Sequence, residues 1–285
     1  MRIDWTALPE AVTKEVADRV GGLRVVPATT GDHAEIAATV TGTSGTVFVK
    51  AARSDFGVRS LRFERRVSEA VSGPHSPAVA WHFEAAGWLA VGFEHCAGPH
   101  ADLSPGSPGL ELLGGALTVL GETPAPDVPL FSPQARLGFD HPAMSGDTLV
   151  HTDLGPANLI VTRHGLRIVD WAMATRAAPW VEPAMLTPWL IGAGHTPEQA
   201  DRWLARQPAW RSADPVVLDH FAAKNAAKWA SKSAGSTAPW MRDLAAWTAQ
   251  WSAYRIKTGP GGSVGGGDGE DYGGCHVEGV AGGQV

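Results

Sequence analysis

Cysteine is nearly absent: Cys96 lies in the body of the chain and Cys275 in a glycine-rich end. Two thiols so far apart give neither a disulfide framework nor zinc-ligand spacing. The first residues, Met-Arg-Ile-Asp-Trp-Thr, lack the apolar core of a secretory signal, and no apolar run reaches the ~18 residues a membrane span needs. The expected location is therefore the cytoplasm, with no membrane partner. A strong charge of one sign is also missing. The formal net charge is −6, but no Lys or Arg follows Lys257, whereas Asp268, Glu270, Asp271 and Glu278 do. That end contributes −4 of the net −6 and leaves the body at about −2, which gives no electrostatic reason to expect nucleic acid.

The chain of 285 residues is long enough for a sizeable core, either in two lobes or in one large domain. Leu8, Val12, Val16 and Val20 recur every four residues and predict an amphipathic helix ended by Gly21-Gly22. Three short β-like runs follow, Leu23 to Ala28, Glu35 to Thr41 and Thr46 to Ala51, separated by turn-like segments. A helix is expected over Ser60 to Val71, and a hairpin over Ala78 to Ala85 and Trp88 to Phe93, turning at Ala86-Gly87. Leu110 to Leu120 reads as a helix, and Glu122 to Gly146 as loop with at most one brief helix. Thr196-Pro197, Asp214-Pro215 and Ala238-Pro239 are each a helix start with proline in the first turn. Nine of the twelve tryptophans fall between Trp171 and Trp251, a density that points to a helical core. Gly259 to Val285 holds twelve glycines and few apolar side chains, so it is read as a disordered tail.

The chemistry concentrates between Leu149 and Trp171. Leu159 to Val161 and Leu166 to Val169 are β-favouring runs around the Thr162-Arg163-His164-Gly165 turn. A tight hairpin there brings its outer ends, Asn158 and Asp170, together, and Asp153 precedes it by one short Gly/Pro loop. A carboxylate and an amide flanking a hairpin can hold Mg2+ on oxygen, leaving a second carboxylate to act on a hydroxyl.

His151-x-Asp153-x-x-Pro156-x-Asn158, followed by the hairpin and Asp170-Trp171, resembles the catalytic core of the aminoglycoside phosphotransferase and choline kinase-like family of small-molecule kinases. The resemblance implies an α+β, two-lobed protein-kinase-like fold. A β-rich nucleotide-binding lobe spans residues 1–96, a mainly helical catalytic and acceptor-binding lobe spans 97–258, and the tail spans 259–285. It implies transfer of the γ-phosphoryl group of ATP (or GTP), with Mg2+, to a hydroxyl of a small molecule. Asp153 is the expected catalytic base, and Asn158 and Asp170 the metal ligands. Lys50, paired with Glu64 or its rival Glu69, would contact the nucleotide phosphates. Gly31 lies in the phosphate-facing loop, and Phe93 and His95 belong to the segment, Phe93 to Gly98, that would link the lobes and meet the adenine with its backbone. His151 is expected to brace the loop. Trp180, Glu182 and Trp189 follow where family members build the acceptor pocket, with core packing the favoured account of both tryptophans.

Other readings have less support. The loop 29–35 has one glycine rather than Gly-x-Gly-x-x-Gly, which leaves a nucleotide-binding pseudokinase as the alternative. No Asp-Phe-Gly follows the hairpin and no Ala-Pro-Glu lies downstream of it, which speaks against a protein kinase. A metallohydrolase needs further ligands near His151 and Asp153, and His141 and His164 fall on different elements.

Overall fold

The computed structural model describes residues 3–28, 34–71 and 76–258. Gly31 and the glycine-rich tail lie outside the described residues. Helix α1 (Glu10–Val20) buries Val12, Val16 and Val20 along one stripe, and Gly21 ends it at φ 72°, a conformation that glycine adopts without a Cβ clash. Strands β1 (Arg24–Pro27), β2 (Ile36–Gly42), β3 (Gly45–Ala52), β4 (Val79–Ala85) and β5 (Trp88–Glu94) form one antiparallel sheet in the order β1-β2-β3-β5-β4.

Alternation along β3 sorts its side chains between two cores. Val49 and Ala51 pack with Ile36, Val40, Trp88 and the buried stripe of α1. Ala52, with Phe48 partly buried beside it, joins Leu61, Leu89, Val91 and Phe93 on the other face. Lys50 shares the parity of Phe48 and Ala52, so it projects toward helix α2 (Asp55–Ala70), which carries Leu61 and Glu64. The helix begins five residues before the expected Ser60: the Ser54 hydroxyl caps it by accepting the Gly57 N–H at 3.1 Å. Exposed Phe56 and the following glycine break the apolar rhythm there and hide the start.

The remainder is mainly helical: α3 (Pro108–Glu122), α4 (Pro133–Leu137), α5 (Val181–Gly192), α6 (Pro197–Leu204), α7 (Pro208–Arg211), α8 (Pro215–Ala234) and α9 (Pro239–Thr258). Two small antiparallel pairs interrupt it: β6 (Thr148–Val150) with β9 (Thr175–Ala177), and β7 (Leu159–Thr162) with β8 (Gly165–Ile168). The expected two-lobed α+β arrangement is what the chain adopts. Trp171, Trp180, Trp203, Trp210 and Trp251 sit in the large helical core, with Trp189 and Trp247 packed at its margin. Helix α5 went unassigned in the sequence because it is apolar and buried almost all round, with no amphipathic period to read, and contains Pro188. Arg255 on α9 ties the bundle, bonding Asp219 on α8 at 2.6 Å and Asp201 on α6 at 2.9 Å.

The segment joining the sheet to the helical part runs directly onto the β7–β8 hairpin. Ala101 N–H donates to Leu159 O (2.8 Å), Val161 N–H donates to Pro99 O (2.9 Å), and Arg167 on β8 pairs with Glu94 at the end of β5. A Cβ added at Gly98 would lie 1.9 Å from the Val161 carbonyl oxygen, so only glycine permits this approach.

Candidate active site

Lys50 and Glu64 reach each other because β3 and α2 are packed face to face. Lys50 Nζ donates to both Glu64 carboxylate oxygens, at 2.7 and 2.9 Å. Glu69 is turned to Arg65 instead. The ammonium also lies 3.0 Å from Asp170 Oδ1. Both partners of Lys50 are carboxylates, and they raise its pKa although burial acts the other way, so it stays protonated. The Phe93 ring is 5.9 Å from Lys50 Nζ and forms part of the surrounding apolar wall. His95 lies just beyond β5 and is half-buried.

The opposite wall is the loop after β6. His151 is fully buried and stacked edge-on to Trp171, with ring centroids 4.7 Å apart. Its Nδ1 accepts the Asp153 N–H at 3.2 Å, which leaves Nε2 to donate to Val169 O at 3.0 Å. Burial pushes the imidazole down to about 4, in keeping with the neutral ring this network needs. His151 thus spans the loop and the far strand of the hairpin, a bracing position.

Thr152 holds a left-handed backbone (φ 60°), unusual for a β-branched residue, and its surroundings over-determine it. Its N–H donates to both oxygens of Glu182 at 3.1 Å, and the His151 N–H donates to Glu182 as well. Its hydroxyl donates to Met173 O (2.8 Å), and Arg136 on α4 donates to the hydroxyl and the carbonyl at 3.0 Å each. Asp153 projects from this fixed turn, with a third of its side chain exposed. Asn158 Nδ2 donates to Asp153 O (2.9 Å) and Oδ2 (3.2 Å), and Arg136 Nη2 lies 3.8 Å from Oδ1. With its nitrogen spent on Asp153, the Asn158 amide has its oxygen as the remaining ligand atom.

The hairpin brings the two proposed metal ligands to one place, since Val169 N–H bonds Asn158 O at 3.0 Å and Asp170 follows. Asp170 is itself left-handed (φ 65°) and opens the Trp171–Met173 turn against which α2 lies. One carboxylate and one amide form an incomplete oxygen cage, the kind of site Mg2+ completes with water and phosphate oxygens.

Two further residues shape the loop from beneath and beside it, Glu182 and Arg136. Glu182 was expected near an acceptor pocket; it is instead 2% exposed beneath the loop, receiving backbone N–H groups. Burial pushes it up to about 7, with the backbone hydrogen bonds opposing. Trp180 is core, its Nε1–H bonded to Ala143 O. Arg136 sat in the stretch read mostly as loop, although Ser132-Pro133 is a legible helix start whose hydroxyl caps α4.

Residues 139–216 match the model of the phosphotransferase enzyme family (APH). The fold resembles that of a thermostable mutant of aminoglycoside phosphotransferase APH(4)-Ia in ternary complex with AMP-PNP and hygromycin B. There the TM-score is 0.60 at 15% identity, covering 89% of this chain and 100% of that one. A mutant of the same enzyme with ADP and hygromycin B gives a TM-score of 0.59 at 16% identity, covering 88% and 99%. No curated protein matches the chain. No helix among the described residues is long and apolar enough to cross a membrane.

Proposed function

We propose that this chain, which carries the phosphotransferase family segment on an aminoglycoside phosphotransferase-like fold, moves the γ-phosphoryl group of ATP (or GTP) to a hydroxyl of a small molecule. The observation that carries the reading is the placement of Asp153. It is partly open to solvent, while Asn158 and Arg136 restrict its carboxylate, and the Lys50–Glu64 pair on the facing wall meets Asp170 at the end of the hairpin.

On this reading Asp153 accepts the hydroxyl proton as the acceptor oxygen bonds to the γ-phosphorus. The bond from that phosphorus to the bridging oxygen breaks, and the nucleoside diphosphate leaves with the electron pair. Lys50, oriented by Glu64, steadies the phosphates. Asn158 and Asp170 would hold Mg2+, which supplies neutralisation of phosphate charge when bound. Residues 1–96 serve the nucleotide, Phe93 and His95 border the adenine site, and residues 97–258 hold the acceptor. Positioning and charge neutralisation account for most phosphoryl-transfer catalysis, so these few groups suffice. The APH(4)-Ia complexes with ADP or AMP-PNP and hygromycin B support a nucleotide together with a hydroxylated acceptor.

The test is Mg2+-dependent ATP and GTP turnover against aminoglycosides, amino alcohols, sugars and hydroxy acids, with Asp153→Ala alongside. Loss of about 10²–10⁴ in kcat with nucleotide affinity kept is expected. Turnover unchanged in Asp153→Ala sinks the mechanism, and tight nucleotide binding without transfer to any acceptor favours the pseudokinase.

A further inference from the structure

Helix α5 is buried along its length except at one side chain. From Val181 to Ile191 every residue is enclosed but Trp189, which is half-buried and stands at the edge of the large core. Its indole lies against the loop that carries Asp153. A Cβ at Gly155 would meet the Cε2 and Cζ2 carbons of the ring at 3.2 Å, so glycine there lets that edge approach the backbone. Gly155 is folded back on Asp153, its N–H donating to the Asp153 carbonyl at 2.8 Å. The indole nitrogen is bonded to Cε2, which puts its N–H on the side of the loop. That N–H has no hydrogen-bond partner among the described residues, yet it is not walled in as Trp203 Nε1 is. A second indole completes a corner: Trp247 of α9, also half-buried, lies 5.9 Å from Trp189 at an interplanar angle of 58°. A second glycine admits it, since a Cβ at Gly192 would fall 2.6 Å from its ring.

A tryptophan with an apolar body and an unused N–H suits a partner that is apolar on one face and polar at its rim. Resting on the phosphotransferase reading, we infer that the acceptor is a neutral sugar ring, stacked by its C–H face on the Trp189–Trp247 corner with one hydroxyl presented to Asp153. A neighbouring hydroxyl oxygen accepts the Trp189 N–H. Charge decides against a cation. An ammonium group only donates, so it opposes the open N–H instead of accepting from it. Arg136 already stands 3.8 Å from Asp153 Oδ1. Glu182 is taken by backbone N–H groups, and Asp201 and Asp219 by Arg255. Asp243, exposed on α9 one turn before Trp247, is placed to accept a further ring hydroxyl.

The full chain with Mg2+ and ATP is assayed with D-glucose, D-galactose and N-acetyl-D-glucosamine as neutral rings. Sorbitol is the open-chain counterpart of glucose, tyrosol an aromatic alcohol, and choline and hygromycin B the cations. A neutral ring is expected to be preferred, with kcat/KM about tenfold or more above that of sorbitol. Trp189→Leu should raise the KM of that sugar roughly tenfold or more and leave kcat within about threefold. Trp189→Phe, which keeps a ring and loses the N–H, should fall between the two. Nucleotide affinity in calorimetry should be the same for parent and variants, which shows that the variants are folded. Saturation-transfer NMR with MgADP should mark the ring C–H protons of the sugar in the parent and not in Trp189→Leu. A preference for tyrosol, choline or hygromycin B, or a sugar KM that Trp189→Leu leaves unchanged, overturns the sugar platform while the phosphotransferase stands. Saturation of the sugar without turnover of any acceptor keeps the platform and overturns the phosphotransferase. Neither saturation nor turnover overturns both.

Discussion

Lys50 Nζ lies 2.7 Å from Glu64 and 3.0 Å from Asp170, so one ammonium neutralises two carboxylates drawn from opposite sides of the cleft. Removing it in Lys50→Met leaves both carboxylates largely buried without their cation. Loss of one member of a buried ion pair costs about 3–5 kcal/mol. The expected outcome is a drop of that order in urea unfolding, together with loss of nucleotide binding in calorimetry. A variant as stable as the parent would show that the cluster has little energetic weight.

Glu182 receives the N–H groups of both residues that precede Asp153. In Glu182→Gln one acceptor oxygen becomes a donor facing those N–H groups, and an unsatisfied buried group costs about 1–3 kcal/mol. We expect that loss of stability and, because Asp153 is displaced, a lower kcat with nucleotide affinity kept. Equal kcat in variant and parent would detach the loop's shape from its chemistry.

His151 sets a pH dependence. Its pKa is about 4 in the folded protein against an ordinary 6.5. As pH falls below 6.5 the unfolded chain takes up a proton that the folded chain refuses until about 4. The stability His151 confers is therefore complete above 6.5 and is lost between 6.5 and 4, by about 3 kcal/mol at most. Glu182, held near 7, acts oppositely by favouring the folded state as pH falls. The difference between parent and His151→Asn, measured by urea unfolding across that window, isolates the histidine. It should shrink toward pH 4; a difference flat in pH contradicts the buried neutral ring.

Gly98→Ala tests the backbone rather than a charge. Its Cβ would collide with the Val161 carbonyl at 1.9 Å, and backbone on both sides has little room to yield. Overpacking of this kind costs about 1–3 kcal/mol. A lower melting temperature is expected, with activity reduced because the displaced strand leads back to Asn158. Unchanged stability would mean that the hairpin yields freely.

The sequence showed most where chemistry and periodicity coincide. Leu159 to Val169 alternates, turns on Gly165 and ends on Asn158 and Asp170, so the hairpin and the meeting of its ends could be read directly. Lys50 and Glu64 were legible as a strand lysine followed by a helix glutamate. Arg136 and Glu182 were not, because their partners are backbone groups of Thr152 and His151, and a residue that serves someone else's peptide bonds leaves no pattern of its own. Helix α5 escaped for the opposite reason: a helix buried on all sides has no polar face to mark its period.

The joining segment's attachment to the β7–β8 hairpin has a mechanical consequence. Residues from Pro99 to Ala101 move with the hairpin, while Glu94 belongs to the sheet through its pairing with Val47. Between them His95, Cys96 and Ala97 have no main-chain hydrogen bond to either side among the described residues. Any hinge between the lobes is therefore confined to an axle three residues long, braced from the side by the Arg167–Glu94 ion pair.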